Sequence, residues 1–358
     1  MQYERIDHDR DQPQTPETAP AVETADGARP AAPARPRRRW LRRIALALLA
    51  LLALQPIIGL LAAEPDVGHW RSAAARAEFD AARAELLATL PPADEERDLA
   101  TSHGAVHVLT WRGDADAEPA VLLPGMGAGG LMWAENLPGL LGERTIHLID
   151  PIGDAGQSAQ SLPLAGFEEQ GDWVAGALDG LGVERAHLVG HSFGGATAAA
   201  TALRHPDRIA SLALIEPVGV IAPLPASIYL WSTVLALPVP QAWKDHALAQ
   251  IGGTTTDEAG ADDPMARMIA AGAAGYSGHA PMPRELSDEE WRALAALPLR
   301  VDLGDASELA GGAAGAERLR ALAPDAAVEL WPGGTHSLPM EERDAVNGRL
   351  LELWRASA

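Results

Sequence analysis

Short apolar runs alternate with helix-length segments over most of this chain, and that pattern constrains its fold more than any other feature. Segments between the runs, notably Phe167–Leu181 and Gly195–Leu203, have the length and apolar spacing of helices. Mostly apolar strands joined by helices indicate an α/β fold with a largely parallel sheet covered on both faces. The runs are 105–111, 120–123, 145–149, 186–189, 210–215, 299–303 and 327–331.

One interval, from about Ile221 to Ala296, breaks this alternation. It consists of helical pieces punctuated by Pro and Gly. We therefore predict an insertion there, which would form a helical cap on the sheet.

The N-terminal part of the chain predicts a membrane anchor. Residues 1–34 are polar and rich in Pro and Ala, as in disordered tails, and the tail ends at residue 43 in a cluster of six arginines. The next 20 residues, Ile44–Ala63, carry no charge, and a helix of that length spans about 30 Å, the hydrocarbon thickness of a bilayer. Arginines before the segment and Glu64 and Asp66 after it predict a single-pass protein of the cell membrane, with a cytoplasmic N-terminus and the remainder outside the cytoplasm.

Other interpretations of this segment compete with the anchor. A cleaved signal peptide, leading to a secreted protein, has an apolar region as short as Ile44–Leu54. However, no A-x-A-like cleavage site follows, because Leu60 and Leu61 stand two positions before Ala62 and Ala63. The arginines of 37–42 also fit a twin-arginine signal. A buried core helix is disfavoured, since such helices rarely carry six arginines on one flank.

The rest of the chain is expected to divide into two parts. Apolar positions within 70–90 predict an amphipathic helix, ended by Pro91, in a juxtamembrane segment 64–99. Residues 100–358 would then form the main folded domain, with the cap at about 221–296.

Composition excludes several classes of function. The chain has 358 residues, a net charge of −21 and no cysteine. An acidic body repels nucleic-acid phosphates, so we expect no nucleic-acid partner. Thiolate nucleophiles and cysteine-based metal sites are excluded. No motif such as H-E-x-x-H is present, and we predict neither a metal nor a cofactor.

A G-x-S-x-G turn is the sharpest functional signal. It follows the strand-like Ala186–Val189 and opens a helical segment. Between a strand and a helix, such a turn exposes a serine hydroxyl above the sheet, and its glycines permit the sharp reversal. Ser192 is therefore the predicted nucleophile, with the Phe193 N–H free to bind a developing oxyanion. The turn reads Gly190-His191-Ser192-Phe193-Gly194-Gly195.

A nucleophilic serine needs a base, and the base needs an orienting acid. His336 lies after the last strand-like run and before a final amphipathic helix, where hydrolases with this turn place the histidine. The acid should lie in the loop after 299–303, where Asp305 and Glu308 are both candidates and Asp305 is preferred. The most expected spacing, three residues after Gly304, falls on Ser307, which has no carboxylate.

The loop after 120–123 supports two interpretations. The Met126 N–H is the expected second oxyanion donor. The same loop also spells G-x-G-x-x-G with Gly125, Gly127 and Gly130, followed by Asp150 at the end of the next strand, which is the pattern of a dinucleotide-binding oxidoreductase. Pro138 and Gly139 interrupt the helix that this alternative requires.

With these motifs the sequence, from about Ala100 to Trp354, resembles the alpha/beta-hydrolase superfamily, in particular its lidded, single-domain esterase-type members. The resemblance implies an eight-stranded sheet, a cap after the sixth strand, and a Ser-His-acid triad that uses Ser192 and His336. Pro124, directly before the first glycine of the loop after 120–123, occupies a position at which many members have histidine. The stretches that carry the resemblance are 122–127 with Trp133, 149–158, 188–195 and 334–336.

The function expected from the sequence is hydrolysis of a small ester-like substrate, with an apolar acyl group, through an acyl-enzyme intermediate. Trp133, Tyr229 and Trp231 are candidates for the substrate pocket. An amidase, a thioesterase or a carbon–carbon-bond hydrolase would share the triad. A catalytically inactive binding or scaffold protein with the same fold is the alternative from another class, and the displaced acid loop is its support.

Overall fold

The computed structural model of this protein describes residue 43 and residues 66–357 except 238 and 261. Apart from residue 43, the predicted tail lies outside the described residues, as does the predicted anchor at 44–63. Within the described ranges, no helix has the length and apolar character needed to cross a membrane.

A mixed nine-stranded sheet forms the centre of the protein. Eight strands lie in the order β11-β10-β8-β7-β4-β5-β3-β2, and β6 pairs with β3. In the order β5-β4-β7-β8-β10-β11, each strand pairs parallel with the next. Strand β3 pairs antiparallel with β2, β5 and β6. The strands are β1 (His69–Trp70), β2 (Glu95–Thr101), β3 (Gly104–Trp111), β4 (Ala120–Leu123), β5 (Ile146–Ile149), β6 (Ala159–Gln160), β7 (Ala186–His191), β8 (Ile209–Ile215), β9 (Tyr276–Ser277), β10 (Leu299–Gly304) and β11 (Ala327–Trp331).

Burial explains which strands the sequence pattern found. Every residue of β4, β5, β7, β8 and β10 is buried, because helices cover both faces of the sheet. All seven apolar runs form strands at the predicted places, so the α/β prediction is confirmed.

The edge strand β2 departs from the predicted domain boundary at residue 100. It pairs with β3 along its whole length, from Glu95 opposite Thr110 to Thr101 opposite Gly104. Its polar side chains alternate between half-buried and exposed positions, so the strand lacks the apolar run of a central strand. The body of the fold therefore includes residues that the sequence placed in a juxtamembrane linker.

Eleven α-helices are assigned within the described residues. The three helices predicted at 70–90, 167–181 and 195–203 are present with shifted ends, as is the final amphipathic helix. The helices are α1 (Ala73–Leu87), α2 (Gln170–Leu181), α3 (Phe193–Arg204), α4 (Ala226–Ala236), α5 (Gln241–Gly252), α6 (Thr256–Ala259), α7 (Pro264–Gly275), α8 (Asp288–Leu294), α9 (Gly312–Leu322), α10 (Leu338–Glu341) and α11 (Arg343–Ala356).

Helices α4 to α7 form the cap, which is shorter than the predicted 221–296. Helix α8 packs against α3 and α9 and so belongs to the helical layer on the sheet. The last cap helix, α7, lies along α1, and β9 directly after it pairs with β1. The segment before residue 100 therefore holds the cap in place through a helix and a strand.

The cap also contacts two loops at the carboxyl edge of the sheet. A Cβ atom on Gly272 of α7 would lie 1.9 Å from the Gly127 carbonyl oxygen, so only glycine permits this approach. The Gly252 carbonyl at the end of α5 accepts hydrogen bonds from the hydroxyls of Thr335 and Ser337, at 3.1 and 3.0 Å. The cap therefore lies over the two loops in which the sequence placed Met126 and His336.

Candidate active site

Ser192 occupies a strained turn between β7 and α3. Its backbone has φ 54° and ψ −121°, a region that L-residues rarely adopt. The flanking glycines make this turn possible, because a Cβ on Gly190 would lie 2.2 Å from the Gly194 carbonyl oxygen, and one on Gly194 would lie 2.3 Å from that of Pro124. The strain presents the serine hydroxyl at the carboxyl edge of the sheet.

His336 comes from the far end of the chain to meet this hydroxyl. It lies in the loop between β11 and α10, and its Nε2 is 2.8 Å from Ser192 Oγ. The loop is tied to the turn, since His191 Nε2 donates to the His336 carbonyl at 2.8 Å and the two rings lie 5.0 Å apart. Burial lowers the pKa of His191 to about 3, so this neighbour stays neutral and adds no positive charge beside His336.

The carboxylate that contacts His336 is Glu216, a residue that sequence reasoning missed. Glu216 directly follows β8, is fully buried, and places Oε2 3.1 Å from His336 Nδ1. Its φ of 48° makes it, with Ser192, one of two non-glycine residues with positive φ in the described part of the chain. Ser192, His336 and Glu216 thus form one hydrogen-bonded chain.

Asp305 and Glu308 do not complete this chain, so the predicted acid is corrected. Both side chains are exposed. Asp305 Oδ1 accepts from the Gly333 N–H at 2.6 Å, which holds the loop that carries His336. Within the predicted loop, the Ser307 side chain contacts this chain of hydrogen bonds, because its hydroxyl donates to Glu216 Oε2 at 2.5 Å.

A sequence signal for Glu216 was available. Ile209–Ile215 is a fully buried strand adjacent to the strand of the serine turn, and Glu216 is the carboxylate at its carboxyl end. Carboxyl ends of parallel strands meet at one edge of a sheet, where α/β proteins place their sites. The spacing expected after β10 points instead to the loop of Asp305 and Glu308, whose carboxyl groups are exposed.

Two backbone N–H groups close to Ser192 in the chain or in space are candidates to bind an oxyanion. The loop after β4 passes beside the serine, since a Cβ on Gly125 would lie 3.2 Å from Ser192 Cβ. The Met126 N–H donates to no acceptor among the described residues. Phe193 is the first residue of α3, where an N–H has no intrahelical acceptor and the helix dipole favours negative charge.

Two buried carboxylates hold this loop. Asp154 accepts from the Gly127 N–H with both oxygens, at 3.0 and 2.8 Å, and from the Ala155 N–H at 2.7 Å. Asp150 accepts from the Gly130 N–H at 2.6 Å. Burial raises the pKa of Asp154 to about 6.

These contacts contradict the dinucleotide alternative. Amides of the glycine pattern that would bind a pyrophosphate already bind Asp150 and Asp154. The residues after the loop form two short 3-10 helices, Gly130–Trp133 and Leu137–Gly139, in place of the long helix whose N-terminus would bind phosphate.

The predicted pocket residues lie in different places. Trp133 is fully buried in the apolar core under the loop after β4. Tyr229 and Trp231 lie on cap helix α4, where Tyr229 is exposed and the Trp231 ring packs edge-on against His246 at 5.3 Å. The structure therefore does not bring these three aromatic side chains together.

The arrangement can perform acyl transfer. It contains a hydroxyl with a base in hydrogen-bond contact, an acid that orients the base, and two unpaired N–H groups beside the hydroxyl. These are the parts that nucleophilic attack on a carbonyl requires.

Comparison with known proteins agrees with this description. The family model for the alpha/beta hydrolase fold matches residues 119–269. An uncharacterized carboxylesterase, nap, of Bacillus subtilis (strain 168) is 24% identical over 279 residues, which cover 76% of this chain and 90% of that protein. The crystal structure of naproxen esterase (carboxylesterase NP) from Bacillus subtilis is similar with a TM-score of 0.70 and 24% identity, over 78% of this chain and 97% of that one. That of carboxylesterase CesB (YbfK) from the same organism has a TM-score of 0.71 and 23% identity, over 78% and 98% of the two chains.

The raised pKa of Asp154 predicts a stability term that depends on pH. The folded protein holds this proton more tightly than the unfolded chain, so between about pH 4 and 6 the term stabilises the fold as pH falls and is lost as pH rises through about 6. In Asp154→Asn this term is absent. When the pH is lowered from 7 to 5, the free energy of unfolding of the wild type should rise by about 1 kcal/mol relative to that of the variant. Urea unfolding of both proteins at the two pH values measures the difference, and parallel changes would contradict the burial of an ionisable Asp154.

Proposed function

This chain belongs to the alpha/beta-hydrolase superfamily, and we propose that it is a serine hydrolase that cleaves carboxylic esters with Ser192, His336 and Glu216. The observation that carries the proposal is the hydrogen-bonded chain from Ser192 Oγ through the His336 ring to the Glu216 carboxyl group. Because Glu216 occupies the position of the acid, the displaced acid loop no longer favours an inactive scaffold.

The reaction follows from the contacts of these three residues. Ser192 Oγ attacks the ester carbonyl while its proton passes to His336 Nε2, and a tetrahedral intermediate forms. The imidazolium then donates this proton to the leaving alcohol, which leaves an acyl group on Ser192. Water, deprotonated by the same nitrogen, attacks the acyl-enzyme and restores the serine. Glu216 holds the ring through Nδ1 and stabilises its positive charge during both steps.

The N–H groups of Met126 and Phe193 bind the oxyanion of both tetrahedral intermediates. Removal of one such donor typically costs about 3 kcal/mol, or roughly 10²–10³ in rate. Gly127, next to Met126, is held by Asp154 on one side and by cap helix α7 on the other. The loop is thus preorganised before substrate arrives, as this kind of stabilisation requires.

Two observations support a small carboxylic ester as substrate. Proteins named carboxylesterases match this chain over nine-tenths of their own length. The cap lies over the loops of both Met126 and His336, so an acyl group bound at the serine would lie beneath it. Cap helix α4 is rich in apolar side chains, several of them exposed, and we propose that it contributes the apolar surface for such a group.

Replacement of the nucleophile gives the first test. Ser192→Ala should reduce kcat on short nitrophenyl esters by at least about 10³-fold, because no acyl-enzyme can form. Far-ultraviolet circular dichroism and the melting temperature should match those of the wild type. Turnover at the wild-type rate would refute the proposal.

Replacement of the acid distinguishes Glu216 from the loop carboxylates. Glu216→Gln should lower kcat on the order of 10²–10⁴-fold, because a neutral amide neither stabilises the imidazolium nor enforces the right tautomer of His336. Asp305→Asn keeps the acceptor for the Gly333 N–H and should change kcat by less than about threefold. Steady-state kinetics of both variants measures the two values of kcat. A larger loss of kcat in Asp305→Asn than in Glu216→Gln would show that Asp305 is the acid.

The same proposal includes a membrane anchor at residues 44–63, with the catalytic domain outside the cytoplasm. The uncharged segment and its arginine flank support it. Secretion after signal cleavage is the alternative.

Two arginines placed in the segment would test the anchor. Leu49→Arg with Leu52→Arg should move the full-length protein from the membrane pellet to the supernatant, since each arginine costs about 2.5–3.5 kcal/mol at the centre of a membrane helix. Ala21→Arg with Ala31→Arg adds the same charge to the tail and should leave the distribution unchanged. N-terminal sequencing of the mature wild type that begins near Glu64 would instead show cleavage.

A further inference from the structure

The Glu216 carboxyl group is bound by donors from the last residue of β10 and from the loop that follows it. The Gly304 N–H donates to Oε1 at 2.7 Å, and the Ser307 hydroxyl donates to Oε2 at 2.5 Å. Oε2 is also the atom that lies 3.1 Å from His336 Nδ1. Ser307 is 7% exposed, so its hydroxyl has little access to water. Ser307 thus contacts the acid itself, at the oxygen that the base uses.

Such donors matter because Glu216 is fully buried. A buried carboxylate is costly unless hydrogen bonds replace its water, and these bonds also fix the direction of its oxygens. We propose that Ser307 is a positioning residue of the triad, whose hydroxyl holds Glu216 Oε2 against His336 Nδ1. The loop in which the sequence suggested an acid therefore supplies the acid's donors. This inference rests on the proposed function.

Few charged groups surround Glu216 among the described residues, so a change in the pH dependence of activity can be assigned to the contact between Glu216 and His336. His336 is the titratable side chain in direct contact with its carboxyl group among the described residues. Asp302 of β10 meets Glu216 through the backbone, as acceptor from the Glu216 N–H, and its own carboxyl group pairs with Arg300. His191 of β7 lies behind His336 and is neutral. The remaining acids of the loop, Asp305 and Glu308, are exposed.

Ser307→Ala removes the donor and leaves Glu216 in place. We expect kcat to fall about tenfold with KM within about twofold, because Ser307 does not touch substrate. A carboxyl oxygen without its donor holds the proton shared with His336 more tightly, so the acidic limb of kcat/KM should move up by about one pH unit. Ser307→Thr keeps the hydroxyl and should keep the wild-type pH profile. Glu308→Gln, in the same loop, should leave kcat unchanged.

A double-mutant cycle separates positioning from packing. If Ser307 acts through the Glu216 carboxylate, adding Ser307→Ala to Glu216→Gln should change kcat by less than about twofold. Ser307→Cys, nearly isosteric but a weaker donor, should show the same direction as Ser307→Ala and provides a second variant should the alanine protein not fold. Melting temperatures report folding for every variant.

The outcomes are distinct. An unchanged kcat and pH profile in folded Ser307→Ala, or an equal loss in both backgrounds of the cycle, would overturn the positioning role while the proposed function stands. A wild-type protein whose Ser192 does not react with a fluorophosphonate would refute the proposed function and this inference together.

Discussion

The hydrogen bond of 2.8 Å between Ser192 Oγ and His336 Nε2 joins residues 144 positions apart, and the catalytic account depends on it. The sheet makes this contact possible, because Ser192, Glu216 and His336 follow three parallel strands whose carboxyl ends share one edge. The loop of His336 is then fixed from several directions, by His191 at its carbonyl, by Asp305 at Gly333 and by the cap at Thr335. These contacts therefore fix the position of His336 relative to Ser192 although the two residues are far apart in the sequence.

Backbone strain is found at the two residues whose side chains form hydrogen bonds with the His336 ring. Ser192 and Glu216 both adopt positive φ, at a typical cost of about 1–3 kcal/mol each. The surrounding structure enforces it, since the Ser192 N–H donates to the Ile215 carbonyl and the Glu216 N–H to that of Asp302. These bonds tie three adjacent strand ends together. The strained backbone directs the Ser192 hydroxyl and the Glu216 carboxyl group at the same His336 imidazole.

Local patterns in the sequence predicted much of the fold and two of the three residues in the hydrogen-bonded chain, Ser192 and His336. Buried strands appear as apolar runs, and the glycines around Ser192 reflect close backbone contacts that are visible as a motif. The edge strand β2 was missed because its outer residues are polar, and Glu216 because its role arises from the order of strands in the sheet rather than from neighbouring residues. Family spacing pointed to residue 307, which proves to contact the acid without being one.

The central claim is that Ser192 carries the acyl group during turnover. The most direct measurement is rapid acid quench of the wild type mixed with a nitrophenyl ester, followed by proteolysis and mass spectrometry of the peptide that spans the serine turn. The mass of one acyl group on Ser192 is expected to appear with the burst of nitrophenol and to be lost as hydrolysis proceeds. A burst with the acyl group on another residue, or turnover with no acylated peptide at any time, would contradict this claim.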